Sequence, residues 1–101
     1  MQPEETRFRA IGDALPEATA GQLFGKPCYK LRGKAFLCFF QDCLVFKLAG
    51  AVHAEALAVP GARLFDPSSA GRPMKEWVQV PAAGAARWEA FAQEAMAYVA
   101  G

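Results

Sequence analysis

KAFLCFFQDCLVFKL, residues 34–48, is the stretch whose reading decides the fold. Two apolar runs rich in Phe, Val and Leu flank Gln41-Asp42, a pair suited to a tight turn. A two-residue connection leaves no room for the crossover that parallel neighbours need. Residues 34–40 and 43–48 therefore read as adjacent antiparallel strands. Phe36, Phe39 and Phe40 put apolar groups on both faces of the first run, as in a central strand. In this register Phe40 faces Cys43 and Cys38 faces Val45.

Upstream, residues 22–31 read as one strand, with Arg32-Gly33 as the turn into residue 34. Pro27 has no N–H to give a ladder, which predicts an edge position or a bulge there. Residues 3–15 carry Phe8, Ile11 and Leu15 at helical spacing. Pro3, Glu4 and Glu5 suit a helix start, Pro16 stops it, and Gly12 weakens it by roughly 1 kcal/mol relative to Ala.

Downstream, residues 50–57 read as a short Ala-rich helix ended by Val59-Pro60-Gly61, and residues 63–65 as a brief strand. Residues 66–73, rich in Pro, Gly and Ser, read as a loop. Residues 74–80 alternate, with Met74, Glu76, Val78 and Val80 on one face and Lys75, Trp77 and Gln79 on the other. That is a strand closed by Pro81. A last helix starts near residues 82–85 and runs to about Val99, with Trp88, Phe91, Ala95 and Tyr98 as its stripe. The expected fold is α+β, in two layers. A five-stranded antiparallel sheet carries helices mainly on one side, in the order αβββαββα.

Length and composition agree with this. The chain has 101 residues, expected to form one domain over 1–101, and 53% are hydrophobic, enough for a core without disulfides or metals. Three cysteines, an odd number with no CxxC, fit a reducing cytoplasm. The polar, acidic N-terminus does not read as a signal peptide, and no apolar run reaches membrane-spanning length. The net charge of +1 excludes a strong overall pull toward nucleic acid or anionic membrane. The charge is uneven, however. Residues 22–50 hold Lys26, Lys30, Arg32, Lys34 and Lys47 against Asp42 alone.

Several residues together resemble a known family. Phe24-Gly25 is followed by Lys30-Leu31-Arg32-Gly33-Lys34, Ala35-Phe36-Leu37, Asp42, Leu44 and Phe46-Lys47. Later comes Met74-Lys75-Glu76-Trp77-Val78-Gln79-Val80-Pro81, then an aromatic-rich last helix. This combination, spread over residues 8–99, is similar to the TfoX N-terminal-domain family, with the YjbR/MmcQ-like family as close rival. Lys26-Pro27-Cys28 departs from the pattern, which has a second glycine and an aromatic there. The resemblance implies five antiparallel strands with helices mostly on one side, a bacterial origin and no established enzyme activity. It points to the N-terminal halves of competence regulators and to small stand-alone proteins.

No motif for catalysis, a cofactor or a metal stands out. His53 is the sole histidine and reads as a solvent-facing helix residue. Cys38 and Cys43 lie on a diagonal, roughly 7–8 Å apart at Cα, too far for a disulfide. Cys28, between Lys26 and Lys30, is a candidate for a lowered thiol pKa. Lys26, Lys30 and Arg32 share parity, so with Lys34 they form a candidate surface for an anion or a nucleic-acid backbone. Protection of a sheet edge is the ordinary alternative for such cations. Tyr29 points to the other face, which weakens a nucleic-acid role. Arg72, in the loop 66–73, together with Lys75 and Tyr29, is a candidate small-anion site. Trp77, on the Lys75 face, is a candidate exposed partner contact. Three functions are therefore expected in order: a non-enzymatic protein-interaction or regulatory module, binding a protein partner or itself; a nucleic-acid-binding protein using the basic hairpin; and a small anionic ligand binder or enzyme.

Overall fold

A computed structural model describes residues 3–23, 25–66, 71 and 73–101. Among the described residues the architecture is α+β, with three α-helices and an open sheet of six antiparallel strands. The elements are α1 (Pro3–Ala14), β1 (Ala18–Leu23), β2 (Lys26–Leu31), β3 (Lys34–Phe40), β4 (Cys43–Lys47), α2 (Gly50–Leu57), β5 (Arg63–Phe65), β6 (Met74–Val80) and α3 (Trp88–Ala100). A 3-10 segment, Ala82–Arg87, leads into α3. The spatial strand order is β1-β2-β3-β4-β6-β5.

Three tight reversals in succession build the first four strands. Leu23 pairs with Lys26, Leu31 with Lys34 and Phe40 with Cys43, so each connection is two residues long. Arg32 and Gly33 both have positive φ, as do Gln41 and Asp42. Paired positive φ values match the right-handed twist of the flanking strands. Between β1 and β2, Gly25 supplies a φ of +74°, a conformation open to glycine at no steric cost.

This first reversal corrects the five-strand expectation. Residues 22–31 are not one strand: the chain reverses between Leu23 and Lys26, and residues 18–23 form an additional strand. As a result β2 is internal, between β1 and β3. The expected edge at Pro27 is therefore wrong, and so is the expectation of a bulge there. Pro27 sits opposite Gln22, and register with β3 begins at Cys28. The bulge lies further on, opposite Tyr29 and Lys30, where Phe36 is the extra residue of β3.

That bulge sets the faces of the sheet. A plain hairpin closed by Leu31–Lys34 would place Cys28 opposite Leu37. One extra residue shifts the register, so Tyr29 meets Leu37 and Cys28 meets Cys38. Phe36 and Leu37 then both join the helix-side core, with Tyr29, Phe46 and Val78. On that face α1 contributes Phe8 and Ile11, α3 contributes Trp88, Phe91, Ala92 and Ala95, and α2 contributes Ala56. Burying one large side chain of this kind stabilises the fold by about 1.5–3 kcal/mol. The Trp88 indole N–H also donates to the Val80 carbonyl at 3.1 Å, which satisfies its one polar atom in the core.

α1 meets the sheet at Tyr29. The ring packs edge-on against Phe8, with centroids 5.2 Å apart. Its hydroxyl donates to the Asp13 carboxylate at 2.7 Å. Burial and that hydrogen bond both hold the phenol above its ordinary pKa. Gly12 lets the ring in, since a Cβ there would stand 2.1 Å from Tyr29 Cε2. The glycine that weakens the helix locally is what lets it dock. Gly12→Ala should therefore destabilise the protein, although Ala is worth about 1 kcal/mol more than Gly in a helix. Overpacking costs typically about 1–3 kcal/mol; offset by the helix-propensity gain, it leaves an expected net loss of up to about 2 kcal/mol in urea unfolding. An unchanged or raised midpoint would show that α1 does not dock here.

Candidate interaction surface

The second face of the sheet carries no helix among the described residues. Its buried cluster is Cys28, Cys38, Val45, Phe65 and Trp77, flanked by Leu23, Ala35, Phe40 and Met74. Aromatic rings cover it: Phe40 and Phe65 pack edge-to-face at 5.2 Å, and Phe65 and Trp77 lie 6.4 Å apart. Trp77 is only 6% exposed. The expectation of an exposed partner contact at Trp77 is thus corrected, because strand parity gives the face and not what covers it. Met74 joins the same cluster, against its expected face. The β5–β6 register shifts between Leu64 and Phe65, which breaks the alternation at the start of β6.

The cations of the basic segment do not line up. Lys26 sits over the Phe40 ring, Nζ 5.3 Å from the centroid. Lys30 lays its aliphatic stem across the position where Gly21 has no side chain. Arg32, in its turn, meets Glu17 at 3.7 Å, with both side chains about 70% exposed. A pair that exposed contributes little to stability. Lys34 is exposed and lies with Lys47, Tyr98 and Val99 around an open depression at the end of α3.

The proposed small-anion set is not brought together. Tyr29 is buried against α1 in β2, whereas Lys75 lies in β6, and β3 and β4 run between these strands. That separation is about 14 Å at the usual strand spacing. Lys75 is exposed and its carbonyl lies 2.7 Å from His53 Nε2, which ties α2 to β6. His53 is accordingly half-buried rather than free in solvent. Arg72 and most of the loop 66–73 lie outside the described residues.

The cysteine readings divide. Cys38 does face Val45 and Cys43 does face Phe40, so the diagonal stands. Cys28 has no lowered pKa. Burial raises it, and the nearby Lys30 offsets that only in part. Among the described residues no cluster of three or more His, Cys, Asp and Glu is placed to hold a metal. No described helix is long and apolar enough to cross a membrane.

What the residues do assemble is an open sheet edge. β1 pairs with β2 along all six residues, and among the described residues no strand pairs with its outer side. Thr19, Ala20 and Gln22 are exposed. The strand ATAGQL holds no charge and no proline, and its pairing with β2 has no register shift. An edge of this kind offers unpaired N–H and C=O groups to another strand. The opposite edge differs. β5 has three residues and an irregular register, both of which discourage pairing. A second concave feature, missed in the sequence, is a cleft of about 550 Å³ between Phe40, Arg63, Leu64, Asp66 and Gln79. Its wall carries both signs of charge, with Arg63 and Asp66 facing one cavity.

No family model matches this chain, no curated protein aligns with it, and no solved structure matches it.

Trp77 separates a core role from a partner-contact role. Trp77→Ala should cost about 3–5 kcal/mol of stability, as expected for a buried aromatic. Thermal and urea unfolding would check this, and a variant as stable as the parent would return Trp77 to the surface.

Proposed function

We propose that this chain is a non-enzymatic interaction module that works by strand addition at β1, with a second copy of itself as the occupant. The observation that carries the reading is the contrast between the two sheet edges. Long edges are normally blunted by Lys, Pro or a bulge. β5 is short and irregular, while β1 is a six-residue strand with none of these devices. Main-chain hydrogen bonds then supply the attachment, as in strand-addition complexes generally.

Two copies suit this edge. A two-fold axis near Ala20 and Gly21 sets identical strands antiparallel, which is the isologous arrangement of most dimers. It sets Thr19 of one copy opposite Gln22 of the other, so no like charges face each other along the uncharged strand. Small side chains at the centre leave the backbones free to approach.

Membership of the TfoX N-terminal-domain family, a regulatory role and a cytoplasmic setting belong to the same proposal. They rest on the motif likeness and the free cysteines. Nucleic-acid binding receives less support, since Lys26, Lys30 and Arg32 are each engaged separately and do not form a continuous strip.

Sedimentation velocity over the micromolar to millimolar range tests the reading. A concentration-dependent dimer is expected. Thr19→Lys combined with Gln22→Lys, both at exposed positions, should abolish it by like-charge repulsion while leaving the melting temperature within a few degrees. A single monomeric species at every concentration would overturn the proposal.

A further inference from the structure

We propose that Cys28 and Cys38 are a paired thiol site that a low-molecular-weight disulfide of the glutathione type oxidises to a cross-strand disulfide between β2 and β3. The register places the two residues directly opposite each other. Opposed residues of antiparallel strands have Cα atoms about 4.5–5.5 Å apart, inside the usual disulfide range of about 4.4–6.8 Å. Both side chains point to the second face, both lie in one buried cluster, and neither is bridged in the resting structure. The juxtaposition depends on the Phe36 bulge, without which Cys28 would oppose Leu37.

Access comes from the β1 side. Gly21 stands opposite Cys28 and adds no side chain above it. The space is taken by the flexible Lys30 side chain, whose Cε would lie 3.4 Å from a Cβ at Gly21. Rotation of that side chain opens a path to Cys28 without unpairing the sheet. Lys30 also favours the Cys28 thiolate electrostatically, against the upward push of burial. Burial holds Cys38 further up still. Cys28 is therefore the attacking thiol and Cys38 the second.

The exchange balances in two steps. Cys28 loses its proton and attacks one sulfur of the external disulfide, forming a mixed disulfide and releasing one thiolate, which takes up a proton. Cys38 then loses its proton and attacks the Cys28 sulfur, and the second external thiol leaves. The protein loses two hydrogens and the external disulfide gains them.

Cys43 is the internal control. It lies diagonal to Cys38, and its Sγ accepts from Gln79 Nε2 at 3.6 Å. The experiment is incubation of the full chain with oxidised glutathione, then acid trapping, intact mass and peptide mapping, with circular dichroism to follow the fold. Expected is a folded product lighter by two hydrogens, with Cys28 linked to Cys38. Cys43→Ser should form the same link. Cys38→Ser should instead retain one glutathione on Cys28. A folded wild-type chain that acquires no internal link, or one linked through Cys43, would overturn the proposal.

Discussion

The pairing of β1 with β2 is the constraint on which the remaining surface depends. Gly25, in the left-handed region, turns the chain back on itself, and six registered residue pairs follow. Because of that pairing β2 is an internal strand, with Tyr29 and Leu31 committed to the helix-side core and Cys28 buried on the other face. It also moves the open edge from a strand carrying Lys26, Pro27 and Lys30 to one carrying no charge. Edge protection is then no explanation for these lysines. Lys26 instead lies over Phe40 and Lys30 covers the gap beside Gly21.

The centre of the sheet was legible in the sequence, and the reasons are local. Gln41-Asp42 between two aromatic-rich runs allowed only an antiparallel hairpin, and the register Phe40–Cys43 and Cys38–Val45 follows from a two-residue turn. The last helix was legible from its stripe, of which Trp88, Phe91 and Ala95 are buried, while Tyr98, the fourth expected member, is 40% exposed. Its first turns differ, since Ala82–Arg87 winds as a 3-10 segment. β1 was not legible. Ala-Thr-Ala-Gly-Gln-Leu has a single β-branched residue and a glycine, so local propensity argues against a strand. It becomes one because the exposed side of β2 offers partners for its backbone, a tertiary effect that periodicity does not record.

The candidate site was legible only in part, for the same kind of reason. Parity correctly put Tyr29 opposite the lysines and Trp77 with Gln79, but parity is silent on what covers a face. Phe65, from a three-residue strand, is the ring beside Trp77. The Phe36 bulge has no marker in the sequence that distinguishes it from an ordinary strand residue. Yet it reverses every later side chain of β3 and brings Cys28 against Cys38. One inserted residue thus decides both the core and the thiol pair.

Amide hydrogen exchange across residues 18–31, measured on the dilute protein, tests the position of the edge most directly. With β1 outermost, the amides of Lys30 and Leu31 and of the internal part of β2 exchange slowly. Alternate amides of β1, those directed away from β2, exchange at rates close to those of an unpaired chain. Fast exchange through residues 28–31, or uniform protection of residues 18–23 in the dilute monomer, would contradict the β1 edge and the strand-addition role built on it.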